Sequence, residues 1–337
     1  MSSTPRYALG NLAGLGVLLA IWIVYAVYFS PTQGWTFFLQ LTVSGIILGS
    51  IYALIALGYS LVYGILKLLN FAHGDVYMIG AFIGFGVLTL LGGPLSPAIP
   101  VALLVLCMFV AAMLGSGVLG LAIERFAYRP LRSAPRLNAL ITAIGVSLLL
   151  EYGGQYVFGA DPKFFPTLIE TREVVNFHGV VINNIQIAIF SVSFVLMLAL
   201  HAIVQRTKVG KAMRAVSFSH TASHLVGINV NRVISLTFVF GSVLAAAAGI
   251  LVGLSNPKVD PLMGLMPGLK AFVAAVLGGI GNIPGALIGG LLMGIAETMV
   301  SGYISSTYRN ALAFVILILI LLLKPSGLLG KSSQEKV

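Results

Sequence analysis

Apolar and polar positions fall in long blocks along this chain, not at the spacing of a half-buried helix or strand. Apolar runs occupy residues 8–29, 41–66, 76–92, 98–123, 137–158, 185–204, 233–254, 268–281, 286–301 and 309–323. Most are long enough for a helix rising about 1.5 Å per residue to cross a hydrocarbon core of about 30 Å. The pattern predicts an all-α polytopic membrane protein of about ten transmembrane helices, several of them short or broken. The run at 268–281 would reach only about 21 Å as a helix. Two readings stay open for 268–301: two short crossings, or half-helices meeting inside the membrane.

The polar segments between the runs set the orientation. Residues 124–136, ERFAYRPLRSAPR, and 205–232 together hold nine of the nineteen Lys and Arg residues against one Glu. Residues 159–184 carry Lys163 and Arg172 against Asp161, Glu170 and Glu173. The positive-inside bias places the first two segments in the cytoplasm and the third outside. Parity then puts both termini in the cytoplasm. The run at 8–29 is read as a retained span, since YAVYFSP is a poor leader-peptide cleavage site.

Composition agrees: 58% of the 337 residues are hydrophobic and 8% are charged, against about 25% charged in a soluble domain. The net charge of +10 sits in short loops between apolar runs, which points to topology and not to nucleic acid. Cys107 is the only cysteine, so no internal disulfide is possible.

Opposite orientation of runs 41–66 and 233–254 suggests two inverted repeats, 37–158 and 233–330. They flank a middle section, 159–232, of exterior loop, one span and a cytoplasmic segment; 1–36 is an N-terminal extension and 331–337 a tail. In such folds the transport path often lies at the repeat interface, near Gly- or Pro-broken helices. The breaks are Asn70 to Asp75, followed by Gly80-Ala81, and Gly278 to Asn282, followed by Gly285-Ala286. The shared order pairs them as equivalents.

Ionisable groups within such runs are functional candidates. Asp75 reads either as a path residue, with Asn70 and His73, or as a cytoplasmic cap of the next helix. Glu297 lies deep in its run, whereas Lys270 can snorkel to an interface; Glu151 also falls in a run. His220 and His224 share a helical face, but the Glu of HExxH is missing, so no metal is expected. Gly330-Lys331-Ser332 resembles the end of a phosphate loop, yet Pro325 replaces its first Gly. The basic segment 206–232 predicts a short amphipathic helix from about Gly210 to Val226, stopped by Gly227. It is longer than a topology signal requires, which suggests that a cytoplasmic partner reads it.

Five stretches carry a resemblance. They are GSIYALIALGYSLVYGILKLLNFAHGDVYMIGAF (49–82), ERFAYRPLRSAPRLNALITAIG (124–145), TKVGKAMRAV with HLVGINVNRVISLTFVFG (207–241), GLKAFVAAVLGGIGNIPGALIGGLLMGIAE (268–297) and LKPSGLLG (323–330). In these the chain resembles the permease subunits of branched-chain amino acid ABC importers, the LivH-like member of the Liv type. The resemblance implies a bacterial inner-membrane, multi-pass protein with a type II importer-like fold. It also implies a second homologous permease, two cytoplasmic ATP-binding subunits and an extracytoplasmic solute-binding protein as partners. ATP would bind those subunits, leaving this chain a transport subunit with no cofactor and no enzymatic activity of its own. Substrates would be leucine, isoleucine and valine; relatives carry urea, amides or aromatic acids, and an ion-coupled secondary transporter is the rival class. Gly210, Arg214, Ala222 and Gly227 would lie at the ATPase contact. Many relatives begin near Trp35, and many have acids where this chain has Ser217, Ser219 and His220.

Overall fold

The computed structural model describes residues 34–92, 99–132 and 134–330. The expected span at 8–29 and the tail from Lys331 lie outside the described residues. Eleven α-helices follow in order: α1 (Trp35–Leu66), α2 (His73–Leu90), α3 (Val101–Ala122), α4 (Arg136–Phe158), α5 (Asn184–Arg206), α6 (Lys208–Phe218), α7 (His220–Leu225), α8 (Val230–Ser255), α9 (Leu265–Gly278), α10 (Ile283–Tyr303) and α11 (Arg309–Leu323). Among the described residues eight helical stretches are long and apolar enough to cross a membrane, and α9 is a shorter apolar helix. The 268–301 region is therefore one short helix and one full-length one.

Two four-helix blocks, α1–α4 and α8–α11, interlock. Helix α1 packs along α10, and α8 along α3; α2 packs on α3 and α8, while α9 packs on α10 and α1. Exchanging the blocks maps each of these contacts onto another, with α1 against α8 and α2 against α9 shared between them. Small residues make this possible, as expected where lipid gives no hydrophobic drive for helix association. A Cβ on Gly49 of α1 would stand 2.7 Å from Leu291 Cα, and one on Gly80 of α2 2.5 Å from Ala246 Cα.

Helix α2 begins inside the bundle. Lys67 ends α1 in the left-handed conformation (φ 56°), and six residues later His73 starts α2 against Gly58 and Gly241. Residue 241 is midway along α8, so α2 starts about halfway through the layer. Gly74 meets α9 at its first turn: a Cβ there would be 2.5 Å from the Gly264 carbonyl oxygen and 3.0 Å from Gly268 Cα. The equivalent of the Asn70–Asp75 break is thus the start of α9, not Gly278–Asn282 as the sequence order suggests. The latter turn instead packs against Gly64, at the end of α1, and Gly330.

Residues 159–184 hold more than a loop. Strands β2 (Glu173–Phe177) and β3 (Val180–Asn183) form an antiparallel hairpin around His178-Gly179, both at positive φ (50° and 87°), as a tight two-residue turn needs. Strand β1 (Lys163–Phe164) pairs with β4 (Lys258–Val259). Asn183 and Gln186 close a reciprocal cap at the start of α5.

Candidate translocation and coupling sites

The four residues singled out from the runs are all buried, but they fall in separate clusters. Asn70 is 3% exposed, and its side-chain oxygen accepts from the Tyr128 hydroxyl at 3.1 Å. Tyr128 closes a π-helical turn, Ile123–Tyr128, that continues α3. His73, 1% exposed, packs edge-on to Tyr59 at 4.8 Å, and its Nε2 has no hydrogen-bond partner among the described residues.

Asp75 is 2% exposed and lies in the first turn of α2, whose start has no side-chain cap. The helix begins three residues before the apolar run because the polar residues of the break turn inward. The N-cap position itself is Ala72, and Asp75 sits within the first turn. The Ser147 hydroxyl of α4 donates to Asp75 Oδ2 at 2.5 Å. Glu151, one turn further along α4, interacts electrostatically with Asp75.

Glu297 is fully buried and belongs to an ion cluster. Its Oε2 accepts from the Tyr52 hydroxyl of α1 at 2.8 Å. Its Oε1 accepts from Lys270 Nζ of α9 at 2.8 Å, and also from Arg309 Nε at the start of α11. Lys270 is 7% exposed, so it does not snorkel; it turns inward to the carboxylate. Tyr52 and Arg309 went unnoticed from sequence, because Tyr52 reads as one more apolar position and Arg309 as a span boundary.

The opposite end of the bundle carries α6 and α7. One amphipathic helix was expected over Gly210–Val226; two form, parted at Ser219 (φ −157°), whose hydroxyl accepts from the Ala222 amide at 3.2 Å. Gly210 is buried in the corner between α5 and α6, where any Cβ would strike the Ile203 and Val204 carbonyls. Arg214 donates to the Val204 carbonyl of that corner. Ala222 and Gly227 are exposed, and Gly227 ends α7 at φ +80°. Phe218, Leu225 and Val226 beside them are 92%, 84% and 75% exposed. Met213 and Val216 turn the other face of α6 into the bundle.

Close by, Glu124 of the π-helical turn is fully buried and takes Arg132 and the Ser235 hydroxyl, the latter at 2.6 Å. Arg132 also donates to Asn231 at 2.5 Å. The 124–132 loop is thereby tied to the first turns of α8, directly after α7. Among the described residues no group of three or more His, Cys, Asp or Glu side chains could hold a metal ion.

Among the described residues eight helices are apolar and long enough to span, seven of them in two interlocked blocks; with buried ion clusters and a separate helical segment at one end, they define a multi-pass membrane permease. The match to protein families is consistent with this: residues 41–323 fit the family described as branched-chain amino acid transport system / permease component. The chain belongs to that family. It is 45% identical over 303 residues to the high-affinity branched-chain amino acid transport system permease protein BraD of Pseudomonas aeruginosa, covering 89% of this chain and 98% of that one. It is 44% identical over 311 residues to the LivH permease protein of Escherichia coli K12, covering 91% and 100%. A probable LivH of Methanocaldococcus jannaschii is 26% identical over 302 residues, covering 85% and 90%. These relatives are transport permease subunits, not enzymes.

Proposed function

We propose that the chain is the permease subunit of an ATP-driven importer of leucine, isoleucine and valine. The observation that carries this is the match, along nearly its whole length, to permease proteins of high-affinity branched-chain amino acid transport systems. In this reading a second homologous permease completes the membrane unit, and two cytoplasmic subunits bind and hydrolyse ATP. A solute-binding protein delivers substrate from outside. Residues 37–158 and 233–330 act as inverted repeats, with both termini cytoplasmic and α6–α7 on the cytoplasmic face.

Placement supports a role for each. His73, Asp75 and Glu297 lie where the blocks meet, with Asn70 three residues before His73, so a change in the blocks' relative angle is felt there first. Ala222 and Gly227, with exposed Phe218, Leu225 and Val226, supply the surface received by an ATP-binding subunit. Gly210 and Arg214 brace that surface against α5, so that a push on α6–α7 is transmitted and not absorbed at the corner.

The test is uptake of radiolabelled leucine, urea and acetamide by a strain lacking this gene. Loss of leucine uptake, restored by the gene, is the expected result. Intact leucine uptake with lost urea uptake overturns the substrate assignment. Gradient-driven uptake by the chain alone in liposomes overturns the ATP-driven one.

A further inference from the structure

The Glu297 cluster does not balance its own charge. Lys270 and Arg309 share the single carboxylate, and both cationic groups interact with no other acid among the described residues. One positive charge is left over beside a fully buried carboxylate, and ionisable groups within the spans of membrane proteins mark ligand pathways. The two cations differ in access. Lys270 is 7% exposed, whereas 45% of the Arg309 side chain is open. Arg309 reaches Glu297 through Nε. A guanidinium has more donors than one carboxylate oxygen and one neighbouring hydroxyl consume, and the fork of a guanidinium fits a carboxylate on two bonds.

We propose that Arg309, backed by Lys270 and held in place by Glu297 and Tyr52, forms a subsite that receives the carboxylate of the transported molecule. The subsite lies at the end of α11 remote from α6–α7. This inference rests on the proposed import of amino acids and deepens it: the substrate is recognised in the membrane by its carboxylate. Arg309 binds; Glu297 and Tyr52 are positioning residues.

The other block supports a zwitterionic substrate. Exchange of the blocks carries the α9–α11 contact onto the α2–α4 contact. There Asp75, Ser147 and Glu151 gather, so the corresponding helix pairs of the two blocks carry cationic groups in one and carboxyl groups in the other. A molecule bearing both an ammonium and a carboxylate meets a partner for each as it passes between them.

The experiment uses the complete importer in lipid nanodiscs, with phenylglyoxal as an arginine-modifying probe and peptide mass spectrometry of Arg309. L-Leucine at tens of millimolar is expected to slow modification of Arg309 several-fold, while L-leucinamide, which lacks the carboxylate, leaves it unchanged. Equal protection by both, or protection by no carboxylate at all, overturns the subsite. Protection by benzoate without protection by leucine keeps the subsite and overturns the branched-chain substrate. In parallel, R309K keeps a cation beside Glu297 but removes the fork. It is expected to lower leucine transported per ATP hydrolysed about tenfold, with the subunits still assembled. Unchanged stoichiometry overturns the proposal; if the variant fails to assemble, the labelling of the wild-type importer decides.

Discussion

His220 of α7 donates from Nε2 to the backbone carbonyl of Ile65, 2.9 Å away in the last turn of α1. A short helix on the surface is thereby joined to the longest helix of the bundle. Few other polar contacts cross this boundary, so the bond is a route by which movement of α7 reaches α1. H220A is expected to leave folding nearly intact, since one such bond is worth about 1 kcal/mol. Leucine uptake per ATP hydrolysed should fall several-fold in the reconstituted importer. An unchanged ratio would show that α7 drives α1 by another contact.

The His73 ring fills the space that a side chain at Gly58 would need. G58A should therefore overpack the crossing of α1, α2 and α8 and destabilise the protein by about 1–3 kcal/mol. Combining it with H73A should give a loss clearly smaller than the sum of the single losses. Thermal unfolding in detergent measures all three variants. Strict additivity would mean that the two positions do not touch.

Removal of the Glu297 carboxylate strands Lys270 in the bundle interior. Breaking a buried pair from one side typically costs about 3–5 kcal/mol, whereas replacing both partners with apolar groups is far milder. E297L should lower the melting temperature sharply, and E297L with K270M should recover most of the loss. Arg309 is half open to its surroundings and tolerates losing its partner better than Lys270 does. Equal melting temperatures for the single and double variants would contradict the pairing.

At Gly227 the backbone is left-handed and no atom lies within 4 Å of a Cβ placed there. Only conformation, not space, opposes a side chain. G227A should cost about 1–2 kcal/mol, G227N less, because Asn tolerates this region, and G227V more. That order, read from thermal unfolding, distinguishes a backbone requirement from a contact requirement.

Several helices were plain in the sequence because their neighbour is lipid. Helices α3, α4, α5 and α11 lie within a few residues of their apolar runs, since a lipid-facing surface demands unbroken apolar character. The start of α2 was missed by three residues, because His73 and Asp75 are polar yet turn inward, where position along the run says nothing of direction. The split at Ser219 was hidden by a continuous amphipathic pattern, since a Ser within a helix looks the same in sequence as a Ser that caps one. Asp75 and Glu297 drew notice as isolated charges, but their partners did not. Ser147 and Tyr52 carry their hydroxyls on positions that pass for ordinary membrane residues. Tyr52 and Glu297 are 245 positions apart, a separation over which no local periodicity reports. The equivalence of the breaks failed for a related reason: a shared Gly-Ala step reflects close packing, which both turns need, and not common place in the fold.

The interlocking of the two blocks also governs how the protein is made. Helix α1 leaves the ribosome early, but the surface it is shaped to meet belongs to α10. Everything from Lys67 to Asn282 must be synthesised and inserted before Gly45 and Gly49 find Ile295 and Leu291. Until then the glycine-lined side of α1 faces lipid or a chaperone. A nonsense mutation near residue 280 would therefore leave unassembled the very helix with which assembly began, and quality control would see a defect at the opposite end of the chain from the lesion.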